Sequence, residues 1–175
     1  MAVPDFQTIM RPLLEEYASV AEGPIADARR HLAARFSLTE EELAERLPSG
    51  AAKTFDNRVG WAATYLYRCG LLARPRRSVY QITERGRQVL NQHPERVDLS
   101  VLSKFPEFEE FRSASGRRRR PGVVNISDET ATPEERIEAA YQELRTALVA
   151  ELRERILAMP FSSFRVKRRT CSALV

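Results

Sequence analysis

Between Thr54 and Ile82 the chain changes its hydrophobic period at Gly70, and that change limits the folds open to it. Up to that point Val59, Ala62, Ala63, Leu66 and Cys69 recur at three- and four-residue spacing, so Thr54 to Cys69 reads as a helix with Gly70 as its stop. Beyond it, Leu71-Leu72-Ala73 and Ser78-Val79-Tyr80-Gln81-Ile82 read as two short strands around Arg74-Pro75-Arg76-Arg77. A helix feeding a hairpin with three arginines at its tip is the frame into which the other segments must fit.

Those segments are mostly helical. Phe6, Ile9, Met10, Leu13, Leu14 and Tyr17 share one side of a 3.6-residue period, with Asp5 placed to cap it. Pro12 removes a backbone donor inside this pattern, so either a kink or a restart near Arg11 is expected. Gly23-Pro24 closes that element and opens the next, whose inward stripe is Ile25, Ala28, Leu32 and Phe36. Thr39 and Glu42 have capping-box spacing, which announces a short helix with Leu43 and Leu47 as core contacts and Pro48-Ser49-Gly50 as its end. Thr83 caps a helix carrying Val89 and Leu90. Helices followed by a β-hairpin with a basic tip are the order of a winged helix-turn-helix, in which the helix before the hairpin enters the major groove. The expected fold is therefore mainly α with a small β-hairpin, a winged helix-turn-helix domain over residues 1–104.

Residues 105–132 read as a basic flexible linker, although Phe105 and Phe108 are aromatics able to dock. Thr132-Pro133-Glu134-Glu135 repeats the capping box and opens an amphipathic connector helix, assigned to 133–159. Ile137, Tyr141, Leu144, Leu148, Leu152 and Ile156 give it one apolar face. The 26 residues 133–158 would extend about 39 Å as a helix. An apolar face of that length calls for a partner surface, and a homo-oligomer through helix 133–158 would supply one. Residues 160–175 form an atypical basic tail, and the abrupt change after Pro160 reads as a truncated or frame-shifted product.

Charge is distributed unevenly. The stretch 53–87 holds eight basic and two acidic side chains, while 1–52 holds five and nine. Further basic stretches lie at 112–120 and 161–175. Such concentration suits phosphate contact better than an evenly mixed solvated surface does. Within 53–87, Asn57 and Arg58 are the residue types that read adenine and guanine edges, whereas Lys53 and Thr64 suit phosphate or sugar. Arg68 lies on the same outer side, with Trp61 and Tyr65 as DNA-contacting aromatics or, alternatively, as core filling. Arg74, Arg76 and Arg77 would place the hairpin tip on a backbone or in a minor groove. Arg117 to Arg120 would add salt-sensitive affinity or simply solvate the linker. The expected partner is double-stranded DNA.

Enzyme constellations are missing from the same reading. There is no glycine-rich phosphate loop, and His31 and His93 fall in unrelated elements. Cys69 and Cys171 lack metal or disulfide spacing, so no metal and no cofactor is expected. No apolar run reaches the roughly 20 residues of a membrane span, and the first residues lack a secretory pattern, which points to the cytoplasm.

Asn57-Arg58-Val59-Gly60-Trp61-Ala62, Gly70-Leu71-Leu72 and Tyr80-Gln81-Ile82-Thr83-Glu84-Arg85-Gly86, in that order, resemble the N-terminal domain of Mrr-like restriction endonucleases. The opening Val3-Pro4-Asp5-Phe6 and the segment from Glu135 to Leu157 are similar to the same family, extending the likeness over about residues 3 to 160. The resemblance implies a bacterial or archaeal defence protein of type IV character. Its winged helix would target DNA, often modified, and a following PD-(D/E)xK domain would cleave it with magnesium. No acidic residue follows Glu154, so that catalytic domain is expected to be absent and this chain to cleave nothing. The alternatives are a winged-helix module for protein interaction or oligomerisation, and a stand-alone DNA-binding regulator.

Overall fold

The computed structural model describes residues 3–116 and 130–158, with backbone alone for 112–116. The arginines 117–120 and the tail 160–175 singled out above lie outside the described residues. The chain divides into two units, 1–138 and 139–175.

The first unit is built on two packed helices. α1 (Phe6–Val20) is capped by Asp5, whose carboxylate accepts from the Gln7 and Thr8 amides at 2.9 and 3.0 Å. Pro12 sits inside α1 without dividing it. The proline leaves one carbonyl without its intrahelical donor. Ile9, Met10, Leu13 and Leu14 surround it, all fully buried, and their packing holds the helix through that loss. α4 (Thr54–Arg68) packs against α1 with Val59, Ala62, Ala63 and Leu66. The two alanines let the helices approach closely, and each large aliphatic side chain buried there contributes about 1.5–3 kcal/mol.

Between them lie α2 (Ile25–Arg35) and α3 (Glu40–Ala44), the latter opened by the full Thr39/Glu42 capping box. After α4, Gly70 adopts φ +69°, a left-handed conformation that turns the chain into β2 (Leu72–Arg76). β2 pairs antiparallel with β3 (Val79–Ile82). The second strand of the expected hairpin is in place, but the first extends to Arg76, so Arg74 and Arg76 lie on a strand and Arg77 on the turn. A third strand is an addition to the sequence reading: β1 (Glu22–Pro24) pairs with β3, giving the order β1-β3-β2. Pro24 is tolerated because β1 is an edge strand.

α5 (Glu84–Gln92) begins at Thr83, whose hydroxyl donates to the Gly70 carbonyl at 2.7 Å and accepts from the Gly86 amide at 3.1 Å. α6 (Leu99–Leu102) follows, capped by Asp98. Within the segment read as a linker, Pro106–Gly116 forms a helix, α7, and its Phe108 is buried in the core. α8 (Pro133–Ala158) starts at Thr132, which exchanges capping hydrogen bonds with Glu135. In the second unit every described residue, 139–158, is exposed. No helix among the described residues is long and apolar enough to cross a membrane.

Candidate nucleic-acid interface

The elements that would face a nucleic acid are α4 and the β2–β3 wing. α4 buries Phe55, Val59, Ala62, Leu66 and the following Cys69, so its remaining surface divides into two flanks. One flank carries Asn57, Arg58, Trp61, Tyr65 and Arg68. The other carries Lys53, Asp56, Gly60, Thr64 and Tyr67.

The first flank is occupied by the protein itself. Arg58 donates to the carbonyls of Val3 and Pro4 at 2.6 and 3.2 Å and pairs with Glu135 at 2.8 Å. Its side chain is only 21% exposed, and the guanidinium is committed to tying three segments together. Asn57 Oδ1 accepts from the Thr132 hydroxyl at 2.8 Å, and Thr132 is fully buried. The Trp61 indole N–H donates to Glu134. Tyr65 stacks on Phe6 with ring centroids 5.5 Å apart and meets Phe108 and Phe111 edge-on. Arg68 is exposed, with its guanidinium 5.2 Å above the Phe111 ring. α7 and the start of α8 therefore cover the side of α4 on which base-reading residues were placed from sequence. That covering is produced by residues far along the chain, beyond the reach of local spacing.

The second flank is exposed at Lys53 and Tyr67 and half-buried at Asp56, Gly60 and Thr64, and α7 does not cover it. Lys53 is exposed at the N-cap of α4. The Thr64 hydroxyl returns to the Gly60 carbonyl at 2.8 Å, a bond local to the helix. Arg29, on α2, lies beside this flank: its Nη2 donates to the Asp56 carbonyl at 3.4 Å and its Nε stands 3.8 Å from the Asp56 carboxylate. Sequence reasoning passed over Arg29, which sits in an acidic stretch; only its position on the α2 side facing α4 brings it here.

On the wing, Arg74, Arg76 and Arg77 are all exposed. Arg76 pairs with Glu22 of β1 at 2.8 Å yet stays 76% exposed, so the pair is weak and easily exchanged for another anion. Arg74 lies 6.0 Å from the Tyr80 ring centroid. The wing is thus a cationic edge on a three-stranded support.

Other chemistry is sparse. Burial pushes the Cys69 thiol up to about 12, so it stays protonated and unreactive. Among the described residues, no group of three or more His, Cys, Asp or Glu side chains is placed to hold a metal ion.

Four helices, a short strand pairing with the hairpin and a cationic hairpin after the last of them define a winged-helix domain within a mainly α chain. Residues 6–92 match the family model described as the Mrr N-terminal domain. A curated relative is the type IV methyl-directed restriction enzyme EcoKMrr of Escherichia coli (strain K12). It is 26% identical over 178 residues, which cover 95% of this chain and 57% of the relative. The chain thus spans little more than half the length of the relative it matches. No solved structure matches it.

Proposed function

We propose that the chain is the DNA-targeting module of a restriction system, binding duplex DNA through the open side of α4 and the wing, and acting in the cytoplasm. The observation that carries this reading is the wing itself: Arg74, Arg76 and Arg77 are exposed together on one hairpin that directly follows α4. Lys53 and Thr64 extend the same surface to phosphates and sugars, and Arg68, exposed on the other flank of α4, borders it. Asn57, Arg58 and Trp61 serve in this reading to seat the start of α8. The relative is named as methyl-directed, which makes methylated duplexes the first ligands to try. The test is a titration of methylated and unmethylated duplexes with the wild-type chain and with Arg74, Arg76 and Arg77 replaced by Ala. Weakened binding by the variant supports the reading, and equal binding contradicts it.

A second reading is favoured by one observation. Ile137, Tyr141, Leu144, Leu148, Leu152 and Ile156 are each at least 47% exposed, an apolar row unusual for a solvated helix. We infer from it an interaction module in which α8 pairs with a second copy. Mass measured in solution should drop when Leu144 and Leu148 are changed to Glu; an unchanged mass removes this reading.

A further inference from the structure

Gly60 lies inside α4, where a glycine costs about 0.5–1 kcal/mol relative to alanine. Two other glycines show what a structural need looks like. Gly70 has φ +69°, which side chains resist. At Gly86 an added Cβ would fall 2.3 Å from the Leu71 carbonyl oxygen. Gly60 has neither reason. Its φ is not in the left-handed region, and an added Cβ would meet only Arg29 Nη2 at 3.8 Å, an ordinary contact with the end of a flexible side chain. The fold would accept a side chain at this position, and even gain from it.

The surroundings indicate what the missing side chain leaves room for. Gly60 is the low point of the open flank, between Asp56 and Thr64 one turn away on either side. Lys53 stands at one end of that flank and Arg29 beside it. Arg29 has a buried Nε without a hydrogen-bond partner, and its long contacts to Asp56, at 3.4 and 3.8 Å, leave it readily re-aimed. The opposite flank is closed by α7 and residues 132–135. A notch of bare backbone with two flanking cations fits a rigid polyanion whose edge must come close to the helix.

We propose that Gly60 is the point of closest approach of duplex DNA to α4, and that Arg29 is a DNA-contacting residue. This rests on the reading of the chain as a DNA-binding module. It moves the groove-facing surface from Asn57, Arg58 and Trp61 to Lys53, Gly60 and Thr64, with Arg29 reaching in from α2.

The experiment uses the full chain and a fluorescent mixed-sequence duplex, in methylated and unmethylated forms, with thermal melting of every variant. Gly60→Ala and Gly60→Gln should melt at or above the wild type and yet bind about tenfold or more weakly, with Arg29→Ala weakened as well. Folded Gly60 variants and Arg29→Ala that bind within about twofold of wild type overturn the placement while leaving DNA binding intact. A wild-type chain that binds neither duplex overturns the DNA reading, and the placement falls with it.

Discussion

Arg58 and Glu135, 77 residues apart in sequence, meet at 2.8 Å with side chains only 21% and 13% exposed. The pair joins the middle of α4 to the first turn of α8, and the same arginine holds the carbonyls of Val3 and Pro4. Removing the guanidinium would strand Glu135 and leave both carbonyls without that donor. Arg58→Ala should therefore lower stability by about 2 kcal/mol, read as a shift in denaturant midpoint. A double-mutant cycle with Glu135→Gln should show clear coupling between the two positions. Additive effects would contradict the clamp.

The wing arginines should behave oppositely. They are exposed, and replacing Arg74, Arg76 and Arg77 by Ala should change stability by no more than about 0.5 kcal/mol. The same variant should flatten the dependence of log K on log salt by about 2 to 3, because each phosphate contact contributes about 0.9. An unchanged slope would place the DNA elsewhere.

Gly86 provides a contrast to Gly60. With Leu71 O only 2.3 Å from the position of an added Cβ, Gly86→Ala must push α5 away from the start of β2. The expected loss is about 2–4 kcal/mol, measurable as a lower midpoint in urea. A neutral substitution would show that this junction has more room than the structure gives it.

Cys69 makes stability depend on alkaline pH. Burial raises its thiol from 9.0 in the ordinary case to about 12, so the folded chain holds this proton more tightly than the unfolded chain. The stabilisation is present in full below about pH 9 and is lost as pH rises towards 12. Denaturant titrations across that window should show falling stability in the wild type and a shallower fall in Cys69→Ala. Identical pH profiles would contradict the burial of this thiol.

What could be read from sequence was local. The caps at Asp5, Thr39 and Thr83 are contacts within three residues, and the α4 stripe with Gly70 spans a single element. β1 escaped because Glu22-Gly23-Pro24 has no strand signature; its pairing with β3 is set by tertiary position alone. α7 escaped because a basic, apolar-poor run follows it, although Phe108 was seen as able to dock and does so. The site divides along the same line. Exposed arginines on a hairpin are evident from spacing, whereas Asn57, Arg58 and Trp61 acquire their partners from residues 132–135, a relation that local spacing does not encode.

The most direct test of the account is the affinity of the wild-type chain for duplex DNA as a function of salt. Lys53, Arg29 and the three wing arginines predict measurable binding at low salt, with log K falling by about 3 to 5 per unit of log salt. Absence of binding at low salt, or affinity that ignores salt, would contradict it.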